Sequence, residues 1–350
     1  MPGMKKVARF LLISCAVLAP MGSARAAQAP VSRVVFGSCA GQGRPQPFWS
    51  PINELHPDLF VFLGDNIYAD TVDPAMLRTL YGKLGEQPGY QRLRHSSTTI
   101  MSTWDDHDYG YNDAGAEHPR KVESQKEFLD FFGVPADSPR RKQLGVYNSR
   151  IFGPVGQRVQ VILLDMRYFR TPLRKNRKTN VYLQRNDPDS TFLGAQQWAW
   201  LKDRLREPAE VRLIGSSIQL VDDQHPYEKW SNFPLERAKL LQAIRDAKAS
   251  GVIVLSGDRH QAEISIWRRA VGYDLYDITS SSFNKPFERE NRGPVESNMY
   301  RVGPVIRDAN FGVVNIDWKR RDPQIALEIH DSSGTLRLRE TVPLSHLSAR

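Results

Sequence analysis

The sequence predicts an α/β fold built on a parallel or mixed sheet. Three observations lead there. Short, unbroken apolar runs recur, the clearest being Leu59-Phe60-Val61-Phe62-Leu63 and Val252-Ile253-Val254-Leu255, the pattern of strands buried on both faces. Longer segments with helical spacing alternate with them, as at 194–206, where Trp198, Leu201 and Leu205 share one face. A length of 350 residues, 40% hydrophobic and 25% charged, suits a large globular domain rather than a disordered or fibrous chain.

Residues 1–26 read as a secretory signal peptide. A basic start (Lys5, Lys6, Arg9) precedes an apolar stretch, and Ala24-Arg25-Ala26 forms an A-x-A cleavage site before Ala27. The stretch is too short and interrupted to predict a transmembrane segment. Leu12-Ile13-Ser14-Cys15 loosely fits a lipidation site, but little apolar sequence precedes Cys15 and much follows it. The expected product is a periplasmic or secreted protein whose residues 27–350 form one domain. Removing the leader, with four basic side chains and no acid, lowers the net charge from +9 to +5. The basic balance therefore argues little for nucleic acid, and a mildly basic surface equally attracts any phosphorylated substrate. Cleavage also leaves Cys39 as the lone cysteine, so no intramolecular disulfide is expected. Cys39 is either a buried apolar side chain, a metal-bound thiolate or a nucleophile.

The elements follow in order. Arg33-Val34-Val35-Phe36-Gly37 is an opening strand, 48–55 a short helix, and 59–63 the central strand. Residues 74–95 read as a helix in two pieces broken at Pro88-Gly89, 98–103 as a strand, and 121–132 as a helix. Strands at 146–152 and 159–164 flank a Gly153-Pro154-Val155-Gly156 turn, and 171–192 is a polar, basic excursion loop. A helix at 194–206 leads to a strand at 211–214. A second helix, 234–249, starts at Pro234 and stops before Gly251. The strand 252–255 follows, and from Val271 the chain reads as short strands and turns. No internal repeat or domain-scale linker interrupts this order.

Chemistry gathers at the strand ends. Four runs stop at Cys39, at Asp65 with Tyr68, at Asp105-Asp106-His107, and at Asp258 with His260. In open α/β sheets ligands bind outside that edge. Each cluster alone has a plainer reading, as turn residues, caps or packed aromatics. Four on one sheet edge point to a site. Thiolate, phenolate, carboxylate and imidazole suit trivalent iron or zinc, whereas carboxylate and amide oxygens suit calcium or magnesium. Asp65 has two oxygens with which to bridge a pair.

The motifs Phe36-Gly37-Ser38-Cys39, Gly64-Asp65-Asn66-Ile67-Tyr68, Trp104-Asp105-Asp106-His107-Asp108 and Ser256-Gly257-Asp258-Arg259-His260 resemble those of the alkaline phosphatase D (PhoD-like) family of calcineurin-like metallophosphoesterases. Asp165-Met166-Arg167-Tyr168 and Leu193-Gly194-Ala195-Gln196-Gln197-Trp198 are similar to it too, and the resemblance runs from about Arg33 to Phe283. It implies a four-layer α/β/β/α fold with two mixed β-sheets, an Fe³⁺–Ca²⁺ pair, and hydrolysis of phosphate mono- or diesters by a metal-bound hydroxide. It assigns Cys39, Asp65, Tyr68 and His260 to iron, and Asp106 and Asp258 to calcium, with Asn112 or Asp105 adding an oxygen. His107 matches the position that protonates the leaving group or binds phosphate. Arg44, Arg167, Arg170 and Arg259 are candidates for substrate phosphate, each equally suited to a structural ion pair. Two departures stand out: relatives often carry an extra N-terminal β domain, and Asp108 stands where Glu is frequent.

A Ser or Cys hydrolase using Cys39 or Ser217 lacks the Gly-x-Ser-x-Gly elbow. A non-catalytic, basic periplasmic protein binding anionic polymer or nucleic acid lacks an aromatic-and-basic stacking motif. The expected partner is a phosphorylated small molecule or polymer.

Overall fold

A computed structural model describes residues 29–287 and 293–349, with Gly3 before them. The expected signal peptide and its cleavage point otherwise lie outside the described residues. The strands run, in chain order, β1 (Arg33–Gly37), β2 (Leu59–Leu63), β3 (Thr99–Thr103), β4 (Asn148–Phe152), β5 (Val159–Leu163), β6 (Arg174–Lys175), β7 (Tyr182–Leu183), β8 (Val211–Gly215), β9 (Val252–Ser256), β10 (Ala262–Trp267), β11 (Leu275–Ser280), β12 (Arg301–Ile306), β13 (Asn310–Asp317), β14 (Gln324–Asp331) and β15 (Leu336–Pro343). The helices are α1 (Trp49–Glu54), α2 (Pro74–Gly85), α3 (Pro88–Arg94), α4 (Asp106–Tyr109), α5 (Lys121–Phe131), α6 (Gly194–Arg206) and α7 (Pro234–Asp246).

Two mixed sheets result. The first has the order β15-β14-β13-β1-β2-β3, the second β12-β10-β11-β9-β8-β5-β4. Side chains alternate across each strand, and β2 shows what that does. Leu59, Val61 and Leu63 join the core between the sheets, whereas Phe60 and Phe62 join a separate aromatic core with Trp49 and Tyr90 of α1 and α3. On the far side, α6 and α7 bury Trp198, Leu201, Leu205, Leu240 and Ile244 in the inter-sheet cluster's extension over the second sheet. The chain is thus layered helix, sheet, sheet, helix. Among the described residues no helix is long and apolar enough to cross a membrane.

Several details differ from the sequence expectation. The break between α2 and α3 falls at Glu86 and Gln87, because Pro88 opens α3, where its missing N–H costs nothing. Helix α7 ends at Asp246, with Lys248 taking the left-handed conformation (φ 49°) ahead of Gly251. The excursion loop contains the small hairpin β6–β7. The largest difference is at the C-terminus. Strands β13, β14 and β15 are eight residues each and form half of the first sheet, with β13 antiparallel to β1.

The parallel strands β1, β2 and β3 end on the same side as β5, β8 and β9 of the other sheet. A parallel bridge from Ser38 to Ser281 joins the two sheets there. Two glycines allow the approach. A Cβ on Gly64 would lie 2.5 Å from the Asp105 Cβ, and one on Gly257 would lie 2.5 Å from the Ser38 Oγ.

Candidate metal centre

The strand ends turn sharply to aim their side chains. Cys39 (φ 61°), Asp65 (φ 49°), Asp258 (φ 67°) and His260 (φ 53°) all occupy the left-handed region. Each such residue costs about 1–3 kcal/mol unless its surroundings over-determine it, and such strain concentrates at functional sites. Here Asp108 does much of the holding. Its carboxylate accepts from the backbone N–H groups of Asp105 (2.7 Å), Asp65 (3.2 Å) and Asn66 (3.3 Å), from the Asn66 amide (2.6 Å) and from Tyr81 (3.2 Å). One buried side chain therefore ties the β2 end to the β3 end.

Cys39, Asp65, Tyr68 and His260 converge. Tyr68 Oη donates to Asp65 Oδ2 at 3.0 Å and lies 3.3 Å from His260 Nε2, and Cys39 Sγ lies 3.5 Å from the same Asp65 oxygen. His260 Nδ1 hydrogen-bonds the Lys285 carbonyl. A carbonyl only accepts, so Nδ1 carries the proton and Nε2 offers its lone pair inward, as metal-ligating histidines are commonly arranged. Burial lowers His260 to about 4, so the ring is neutral. Burial, then Asp65, push the Cys39 thiol well above its ordinary value. That is the opposite of what a free nucleophile needs, and a cation beside the sulfur would reverse it.

A second group adjoins the first. Oxygens of Asp105, Asp106 and Asp258 lie within 4.8 Å of one another, as do donor atoms of Asp65, Asp106 and His107. Asp105 Oδ1 is taken by Arg167 Nε (2.5 Å) and Ser217 Oγ (2.6 Å). Ser217 is thus a donor to a carboxylate. Asp105 Oδ2 and Asp65 Oδ1 are buried without any hydrogen-bond partner. Burial, followed by repulsion from Asp106, raises Asp65 to about 6 and pushes Asp258 well up. Burial likewise lifts Asp105 against the opposing Arg167. Asp106 alone falls, to about 2, because Arg167 and His107 outweigh its burial. A cluster so short of positive charge, with two orphaned oxygens, fits metal cations: a mixed sulfur, phenol, imidazole and carboxylate set on one side, oxygen on the other.

The remaining residues take distinct places. His107 Nδ1 lies 2.7 Å from Asp70 Oδ1 and its ring is 4.4 Å from that of Tyr68. Burial opposes its charge, but Asp65, Asp70 and Asp106 prevail and raise it to about 10. Asn112 is on the exposed rim, its amide nitrogen donating to Asp113 Oδ2 at 2.6 Å. Arg167 and Arg170 are corrected as phosphate contacts. Both are fully buried: Arg167 pairs with Asp105 and Glu228, and Arg170 lies 3.0 Å from Glu228. They neutralise carboxylates beneath the floor and reach no solvent. Arg44 is exposed, whereas Arg259 is buried, pairs with Glu296 at 3.2 Å and stacks over Tyr227, but unlike Arg167 and Arg170 it lines a cleft. That cleft, about 420 Å³, opens over Asp106, His107, Asp258 and His260, and Lys175, Tyr182, Tyr227 and Phe287 wall it. Sequence reasoning missed Asp70, Glu228, Ser281 and Lys285. The Lys285 Nζ lies 3.3 Å from the centroid of the Tyr68 ring, and nothing in its sequence surroundings marks it.

Residues 34–281 match the model of the PhoD-like phosphatases. The chain belongs to that family. Among curated relatives, this PhoD-like chain is 22% identical over 317 residues to the alkaline phosphatase D of Bacillus subtilis (strain 168), covering 77% of this chain and 53% of the relative. It thus spans about half that relative's length. A solved structure of PhoD superposes with a TM-score of 0.68 at 15% identity, covering 90% of this chain and 72% of the other. A dimetal phosphatase from Danio rerio superposes with a TM-score of 0.54 at 12% identity, covering 92% and 100%. These likenesses establish the PhoD-like fold with its two mixed sheets.

Proposed function

We propose that the chain is an exported, metal-dependent phosphoesterase acting on phosphate mono- and/or diesters, with residues 27–350 as its catalytic unit. The observation that carries this reading is the pair of donor groups meeting at Asp65, with orphaned oxygens on Asp65 and Asp105, at the floor of a cleft. Cys39, Asp65, Tyr68 and His260 would hold Fe³⁺; Asp106 and Asp258, with an oxygen from Asn112 or Asp105, would hold Ca²⁺, zinc or another divalent ion being the alternative. Such a pair supplies an activated water and neutralises charge on the phosphoryl oxygens. The chain's own residues do the rest. His107, oriented by Asp70, carries a proton toward the leaving oxygen. Arg44, and Arg259 from its pairing with Glu296, would offer guanidinium groups to phosphate. Arg167 sits behind Asp105 and keeps one of its oxygens directed inward.

The test is a hydrolysis screen over mono- and diesters with elemental analysis of the purified protein. Activity abolished by chelation and restored by added metal is expected. Hydrolysis that survives complete metal removal would defeat the reading. Tyr68→Phe should keep the fold and shift or weaken a visible charge-transfer band, and Cys39→Ser should lose iron more completely. A colourless protein containing zinc would remove the iron assignment alone.

A further inference from the structure

The cleft is far larger than a phosphoryl group requires. Its volume, about 420 Å³, falls within the 300–1,000 Å³ of ordinary small-molecule sites, so its outer part faces whatever the phosphate is attached to. One wall there is the arm carrying β6 and β7, with Lys175, Thr179, Asn180, Val181 and Tyr182 lining the space.

The arm's charges are unevenly answered. Asp187 takes Arg174 (3.3 Å) and Arg185 (3.2 Å). Lys175 comes no nearer than 3.9 Å to Asp113, beyond hydrogen-bonding distance, and Arg177 and Lys178 stand exposed at the turn. The arm is also pinned. Asn176 N donates to the Val181 carbonyl (2.9 Å), Tyr182 N donates to the Pro226 carbonyl (3.2 Å), and the Tyr182 hydroxyl bonds Asp113. Lys175 Nζ is held 4.5 Å from the Tyr182 ring centroid. Lys175 thus lines a cleft whose floor is carboxylate, with Arg177 and Lys178 exposed two and three residues further along the same pinned arm. On the floor Asp105 bonds Arg167 and Asp106 accepts from the Asp113 backbone N–H, whereas the ion pair Lys175 makes is the long one to Asp113 at the rim.

We propose that this arm is an anion subsite for a second negative group on the alcohol side of the substrate, so that bisphosphorylated or otherwise polyanionic esters are preferred over simple monophosphates. The inference rests on the phosphoesterase reading of the floor. Lys175 bonds the second anion through its free ammonium donors, and Arg177 and Lys178 add a field that salt screens beyond about 8 Å.

The experiment compares α,ω-alkanediol monophosphates and bisphosphates of three, six and nine carbons, which share one leaving-group chemistry. At one spacer length the bisphosphate should exceed the monophosphate in kcat/KM by about tenfold, against the statistical factor of two. The triple variant K175Q/R177Q/K178Q, or high salt on the wild type, should bring that ratio back to two. A ratio of two at every length, or a variant that keeps the advantage, overturns the subsite. A wild type that turns over neither these esters nor a plain diester would count against the phosphoesterase reading instead. Calorimetry with the alkane mono- and bisphosphonates of the preferred spacer length, whose P–C bonds are not hydrolysed, then reads the arm without turnover. Tighter bisphosphonate binding that the variant loses supports the subsite, and equal binding of the two overturns it.

Discussion

His107 and Asp70 form a pair whose geometry makes a divided prediction. Nδ1 is engaged by Asp70 at 2.7 Å, so Nε2 is the atom left for substrate. His107→Ala should lower kcat about 10²–10⁴-fold, less for a substrate with a very good leaving group, while metal content stays. Asp70→Asn keeps an acceptor and removes the charge, so its loss should be smaller. Loss of a metal ion from His107→Ala would instead make His107 a ligand, since its ring nitrogen also lies within 4.8 Å of oxygens on Asp65 and Asp106. Most of the site's own residues were legible because each follows an apolar strand directly. Lys285, Ser281 and Glu228 were not, because they arrive from segments with no motif and meet the site through tertiary pairing. The Arg167 and Arg170 guanidiniums were ambiguous in the sequence for a related reason: an arginine beside a site reads alike whether it faces substrate or a buried carboxylate.

Strand β14 shows both what period-2 patterning reveals and what it conceals. Ile325, Leu327 and Ile329 alternate inward, a readable signal, yet that register only becomes half of a sheet because β13 bridges to β1. Gly312 of β13 lies opposite Phe36, and a Cβ there would come within 2.2 Å of the Phe36 ring. Gly312→Ala should therefore destabilise by about 1–3 kcal/mol, the usual cost of overpacking. A denaturation midpoint unchanged from wild type would mean the strands give way. The same element carries a pH-sensitive pair. His330 Nε2 lies 2.9 Å from Glu328 and Nδ1 lies 3.0 Å from the Gly334 carbonyl, so both nitrogens face acceptors. Burial opposes the imidazolium, but Glu328 and Gly334 raise its pKa above 6.5. A raised folded pKa gives stability that is complete below the unfolded value and fades as pH climbs through the folded one. Relative to His330→Gln, wild type should lose about 1 kcal/mol of stability between pH 6 and alkaline conditions. A difference independent of pH would show that folding leaves the histidine's affinity for its proton unchanged.

Across the whole molecule, the candidate centre is divided between the two sheets. Cys39, Asp65, Asp105 and Asp106 follow strands of the first, Asp258 and His260 a strand of the second. A cation bound there stabilises the docked pair and not the unfolded chain, by about 4 kcal/mol at a thousandfold excess over its Kd. Chelation should lower the melting temperature as well as activity, and Asp258→Asn should lessen that drop. An unchanged Tm on complete metal removal would speak against a shared centre. The α/β class and the parallel strands were legible from apolar runs alone. That two sheets face each other was not, since a strand buried on both faces looks the same whether its neighbour is a helix or another sheet.

The distance along the chain between the two halves of the centre sets an order of events. Tyr68 and His260 are 192 residues apart, so their meeting waits on the slowest, most non-local pairings of the fold. On the proposed metal reading, an early intermediate should lack a complete ligand shell, uptake is expected as the closing step of folding, and the ion taken would be one present where folding finishes. In refolding followed by stopped flow, a metal-dependent signal should rise after tertiary fluorescence has settled. A coloured species formed ahead of it would reverse that order.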